Sequence, residues 1–477
     1  MHRARIALSL TSSLALLFAL AAAPAAAGDP FARATSTKDG HFTWNTDQID
    51  LEGVSQTGAG VYVAVLDSGL APNWNDYLPD ARVAQELGIG FVQSVSLKAQ
   101  GDECGIGVEV GGMRRTTYVG SRSTEHGTHV TSIITGFTYR SNSDILEGVN
   151  LPLLQVRGVA PEVTIIPVKV LADYQQPALP NCDDPGPVPA QTVNFGTSEM
   201  VAAGIDYATD LAISGYRPMV INMSLGGDGL DEVEKNAIDR AIANGVIVVA
   251  AAGNEGEAGV HFPGGYAPVI SVGSTGWTAE WLDSPADDAT NTPPSSGFRY
   301  RTFWLKDKAD GALTGPGMLH PDSGNVPDPQ TADDVYITDF SGRDISDDTE
   351  LDVLAPGSWV RGPFAGNPGY AHLPAWSNGI GDITGNNPGN HFYVGGTSQS
   401  TPHVTGLVAL MLQKDPTLSQ SDVESILKSS ALPIPAGSAE VWDPFNANGP
   451  QFVTFSWEDN ATGSGLIQAD AALSLIP

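Results

Sequence analysis

Short runs of Val, Ile and Ala that are apolar at nearly every position alternate here with segments of helical period, and that alternation limits the folds open to the chain. The runs are "VYVAVL" (61–66), "VTIIPVKVL" (163–171), "MVINMSL" (219–225), "VIVVAAAG" (246–253) and "APVISVGS" (267–274). A strand apolar on both faces must be covered on both faces, which is the condition of a parallel sheet between two helix layers. Helices are expected over 198–214, over 231–245, where Gly245 ends the segment, and over 398–413. "HGTHVTSIITG" (126–136) starts another, 421–430 opens on "SDVE", read as a capping box, and "DAALSL" closes the chain as a short helix. The expected class is α/β: a parallel β-sheet with helices on both faces, in one large domain. Two stretches, about 277–334 and 362–390, are rich in Gly, Pro, Asp or Asn and read as long loop insertions.

The first residues read as an address. Positive "MHRAR" precedes the apolar "IALSLTSSLALLFALAAA", and small residues follow at 25–27, so 1–27 is expected to be a secretory signal peptide. Residues 28–41 form a short polar extension, and 42–477 the folded domain. No later stretch is apolar and long enough to span a bilayer, so a secreted or periplasmic protein without a membrane is expected. The 54 acids against 23 Lys plus Arg give a net charge of −31, which argues against nucleic acid or an anionic membrane as partner. The two cysteines, Cys104 and Cys182, lie in irregular segments; in an exported chain they are expected to form one disulfide. Their spacing is not that of a metal site.

Four residues sit where regular elements meet loops: Asp67 after "VYVAVL", His126 in "EHGTHV", Asn254 after "VIVVAAAG", and Ser398 in "GGTSQSTPHVTG". Taken singly, each has a plain role as a cap or a turn residue. Together they are a carboxylate, an imidazole, an amide donor and a hydroxyl, the set that nucleophilic acyl transfer needs. The imidazole takes the serine proton near neutral pH, the carboxylate orients the imidazole, and amide N–H groups receive the oxyanion.

Five segments in order, "VAVLDSG", "HGTHV", "NMSLGG", "AAGNEG" and "GTSQSTPHV", resemble the signature segments of subtilisin-like serine proteases. The likeness runs from about residue 42 to 477 and implies a secreted serine endopeptidase acting on polypeptides, a monomer whose catalysis needs no cofactor. On that resemblance Asp67 is the orienting acid, His126 the base, Ser398 the nucleophile and Asn254 an oxyanion donor. Ser224, Leu225 and Gly226 are implied to pair with an extended substrate, with Phe195 and Gly196 on the opposing edge. Gly253, Glu255 and His261 are implied to border the primary pocket, His261 near its floor. The resemblance also implies a structural calcium, with Asp76 as one ligand, although the loop that would complete it is altered. Gln399 stands where the family usually has Met, and the 28–41 stretch is too short for the family's folding pro-segment. A catalytically inactive binding module of the same fold is the competing reading. An α/β-hydrolase is excluded, because its serine lies in GxSxG and precedes the acid and the histidine.

Overall fold

The computed structural model describes residues 35–100, 105–120, 123–138, 155–179, 188–282, 300–301, 305–306, 331–364, 391–443, 446, 448–449 and 451–477. Among these, nine strands make one sheet. They are β1 (Tyr62–Asp67), β2 (Ile89–Gln100), β3 (Gly105–Thr116), β4 (Thr164–Lys169), β5 (Met219–Met223), β6 (Val246–Ala251), β7 (Ile270–Trp277), β8 (Val335–Ile337) and β9 (Val353–Pro356). Their order is β8-β7-β6-β5-β1-β4-β2-β3, with β9 also paired to β7. The pairs from β7 through β2 are parallel, as is β9 with β7, whereas β8 and β3 run antiparallel to their neighbours.

The apolar runs explain the two layers. Successive side chains of a strand point to opposite faces. Val63, Val65, Ile165, Val220, Ile247 and Val249 face one core, shared with Val404, Leu407, Val408 and Met411 of helix α4 (Thr397–Lys414). The residues between them, including Ala64, Leu66, Ile166, Ile221 and Val248, face the other core. There they meet Val201 and Ile205 of α2 (Ser198–Ile213) and Ile238 of α3 (Glu232–Ala243). Helix α1 (Thr124–Thr135) lies beside α4 and adds Val130 and Ile134 to the first core.

Connectivity then places a crevice. From β4, on one side of β1, the chain crosses to β5 on the other side and continues outward through β6 and β7. Such a reversal opens a gap between loops at the carboxyl ends of the strands. Asp67, the last residue of β1, stands there.

Several elements were not anticipated. The β2–β3 hairpin, a ribbon of Ala172–Gln176 with Gln191–Phe195, and another of Gly437–Asp443 with Gln451–Trp457 are partly exposed strands of mixed polarity. The first insertion was expected to begin at Trp277, but Trp277 ends β7, fully buried and stacked on Trp44 at 6.5 Å. Gly362 belongs to the strand Val360–Pro363, paired with His391–Val394. Most of the remainder of both insertions (283–299, 302–304, 307–330 and 365–390), with Cys104, Cys182 and residues 1–27, lies outside the described residues. No helix among the described residues is long and apolar enough to cross a membrane.

The capping box of α5 (Gln420–Ser430) lies one turn-start earlier than expected. Ser419 is the N-cap, accepting from the Asp422 amide at 3.2 Å, while the Asp422 carboxylate accepts from the Ser419 amide at 2.9 Å. Ser419 has the extended backbone an N-cap needs, and Ser421 is already helical. We predict that Ser419→Ala costs about 1 kcal/mol of unfolding free energy and Ser421→Ala a few tenths at most, measured by urea denaturation. An equal loss in both variants would contradict the assignment.

Candidate active site

Asp67 is fully buried, and its position is fixed by the fold before any chemistry enters. Its Oδ1 accepts the Ser68 amide at 2.6 Å and His126 Nδ1–H at 2.8 Å. The approach of α1 that permits this contact needs a glycine. A Cβ on Gly127 would come within 2.3 Å of the Gly69 carbonyl oxygen and 3.1 Å of Asp67 Oδ1. Ser68 Oγ in turn accepts the Gly127 amide at 3.0 Å, and Lys169 Nζ donates to the Ser68 carbonyl at 2.7 Å, pinning the loop after β1. Burial disfavours the imidazolium of His126, yet the charge of Asp67 and the hydrogen bond to it prevail, so its pKa stands above the usual 6.5. By contrast, burial and the neighbouring His126 charge push His129, in the same helix, down to about 3, so it stays neutral.

Ser398 is the second residue of α4. Pro402, inside the same helix, has no N–H to give the Ser398 carbonyl four residues back. Ser224 Oγ supplies the missing donor at 2.8 Å, and Ser398 Oγ donates to the Ser224 carbonyl at 3.2 Å. The hydroxyl and the "NMSLGG" segment are thus locked together from both sides. Asn254 is tied to the same turn: its Oδ1 accepts the Thr397 amide at 2.8 Å and the Thr397 hydroxyl at 3.0 Å. Its Nδ2 donors are left uncommitted among the described residues, on an exposed side chain beside the helix start.

A cleft of about 430 Å³ opens from His126 between the edge 194–198 and the segment 224–227. Phe195, Gly196, Ser224, Leu225 and Gly226 line it, whereas Asp67, Gly253, Asn254, Glu255, His261 and Ser398 do not. His261 instead fills the space between Gly226 and Gly253. A Cβ on Gly253 would meet His261 Cγ at 2.7 Å, and one on Gly226 would meet His261 Cβ at 3.1 Å. Its Nε2 is 3.5 Å from the exposed Asp228 carboxylate. Glu255 is exposed. Glu234 of α3 and Phe364 also line the cleft, and nothing in the sequence pattern marked them.

Asp76 ends a short turn, Trp74–Asp76, and is partly buried. Among the described residues no group of three metal-type ligands includes it, and 139–154, most of the altered loop, lie outside them. The three carboxylates that do converge, Glu350, Asp352 and Glu424, close on the Lys428 ammonium, at 2.5 Å from Asp352 and 2.7 Å from Glu424. That cluster therefore already has its cation.

Removing the Ser224 hydroxyl strands the Ser398 carbonyl. Ser224→Ala is expected to lower unfolding free energy by roughly 1–3 kcal/mol, because Pro402 offers no substitute donor. Pro402→Ala in that background, which restores an N–H, should recover part of the loss. Calorimetry of the two variants measures this, and an unrescued loss would refute the clamp.

The profile described as "Subtilase family" matches residues 58–465. Subtilisin DY of Bacillus licheniformis is 25% identical over 389 residues, 81% of this chain and 88% of that protein. Fervidolysin of Fervidobacterium pennivorans is 26% identical over 317 residues, 66% of this chain but 31% of its own length. Among solved structures, "S41 Psychrophilic Protease" aligns with a TM-score of 0.47 and 22% identity, covering 91% of this chain and 99% of that one. With the profile spanning most of its length, this chain belongs to the subtilase family.

Proposed function

We propose that the chain is an exported serine endopeptidase that hydrolyses peptide bonds through Asp67, His126 and Ser398. The observation that carries this reading is the 2.8 Å contact between the buried Asp67 carboxylate and His126 Nδ1, with His126 lining a cleft whose wall residue Ser224 holds the Ser398 hydroxyl. With Nδ1–H given to Asp67, His126 keeps its Nε2 lone pair for a proton. Ser398 Oγ turns from the Ser224 carbonyl toward Nε2, gives up its proton and attacks the substrate carbonyl carbon. Asn254 Nδ2 and the backbone amide of Ser398 receive the negative oxygen. The tetrahedral species collapses as imidazolium returns the proton to the leaving amine, and water repeats the sequence on the acyl-enzyme. No step calls on a metal. Export follows the expected cleavage after residue 27, and the polypeptide substrates are implied by family membership.

A fluorophosphonate probe should label Ser398 in the wild type and fail in Ser398→Ala. Ser398→Ala and His126→Ala should each lower kcat by about 10⁶, with the double variant little worse; that magnitude is the one known for subtilisin's own triad. The raised His126 pKa sets the acid limb of kcat/KM above pH 6.5, since the base must be neutral, and activity rises with pH through that limb. Asp67→Asn should move the limb down while lowering the plateau. Peptidase activity surviving in Ser398→Ala would sink the reading, and absent labelling of folded wild type would favour the inactive module.

On this reading His261, which sits against Gly226 and Gly253, bounds the primary pocket and leaves room for Ala or Gly beside it. His261→Gly should raise kcat/KM for Phe or Leu relative to Ala at the residue before the cut by roughly tenfold or more. An unchanged ratio would show that this histidine does not bound the pocket.

A further inference from the structure

The cleft holds a charge that the chemistry does not use. Apart from His126, the only ionisable side chain among the described residues lining it is Glu234, in the first turn of α3. Glu234 is 6% exposed, and its carboxylate has no hydrogen-bond or ion-pair partner among the described residues. Ser198 and Val201 of α2, Leu225 and Gly229 line the same cleft. The nearby basic group, Lys235, is turned away, bonded to Asp239 at 2.8 Å and set over the Tyr266 ring. The surrounding charges are acidic: Asp231, which accepts from Ser198 Oγ at 2.7 Å, and the exposed Asp228 and Glu232.

A buried carboxylate without a partner is costly, and proteins ordinarily pair it or neutralise it. Burial, with the Asp231 charge added, pushes the Glu234 pKa up to about 7. An apolar residue would have filled this position at no such cost, since Val201 and Leu225 already line the cleft. The arrangement makes sense if a cation reaches the carboxylate from the open side, which is the cleft.

Resting on the peptidase reading above, we propose that Glu234 is a specificity-determining residue, which accepts the side chain of a lysine or arginine of the substrate on the acyl side of the cut, at a subsite apart from the primary pocket. The primary pocket is separate because His261, not Glu234, lies between Gly226 and Gly253. An extended peptide lying between 194–196 and 224–226 sends alternate side chains to the same side. A long basic side chain from a residue beyond the first can therefore pass Leu225 and end at Glu234.

The test reads binding and cleavage separately. Fluorescent peptides carrying Lys, Arg, norleucine or Glu at each of the second to fifth positions before the cut are titrated against Ser398→Ala protein at physiological salt. The same peptides are digested by the wild type. At one position, Lys and Arg should bind about tenfold more tightly than norleucine, and Glu more weakly than all. Glu234→Gln, nearly isosteric, should remove the difference, and Glu234→Leu should favour norleucine; melting curves confirm that both are folded. The long-range attraction of a chain of net charge −31 for any basic peptide stays in all three proteins, so it cannot mimic the result. Equal binding of Lys and norleucine at every position, or a basic preference unchanged in Glu234→Gln, overturns the assignment. Selective binding without cleavage by the wild type would retain Glu234 as the selector and overturn the peptidase reading instead.

Discussion

One buried carboxylate organises this molecule. Asp67 ends the central strand at the point where the sheet reverses direction, out of reach of solvent. A charge in that position must be met by donors, and it is met by the Ser68 amide and by His126. The helix that carries His126 approaches closely because Gly127 has no side chain. Strand end, turn and helix start are thus fixed to one another by a single electrostatic demand, and the imidazole is aimed as a consequence.

The second constraint is a backbone one. Pro402 deprives the Ser398 carbonyl of its helical partner, and Ser224 fills the vacancy while its own carbonyl holds the Ser398 hydroxyl. A proline that would ordinarily weaken a helix here couples the turn that carries Ser398 to the segment lining the cleft. Asn254, anchored through Thr397, completes the arrangement from β6. Three segments far apart in the sequence meet at one helix start, each through a bond that the others leave open.

Charge is distributed with similar economy. Where acids converge outside the cleft, as at Glu350, Asp352 and Glu424, a lysine sits among them. Glu234 has none among the described residues, although it is more buried than Glu350 or Glu424. The contrast separates a carboxylate that supports the fold from one held ready for something outside it.

The sequence alone determined the layers, the parallel core and the four candidate residues. Runs apolar on both faces admit few other arrangements, and loop-end polar residues of complementary chemistry are visible one by one. The partly exposed hairpins escaped, because strands with one wet face share their mixed composition with loops. The capping box shifted from Ser421 to Ser419 because both serines fit the spacing, and only the backbone conformation tells a cap from a first turn. Tertiary structure alone decided that His261 fills the space between Gly226 and Gly253 and that Glu234 faces the cleft. In sequence, Glu234 is one more acid in the amphipathic first turn of a helix. Its meaning arises only when α2 and α3 pack, because burial and the lack of a partner are properties of the assembled neighbours and not of the residue.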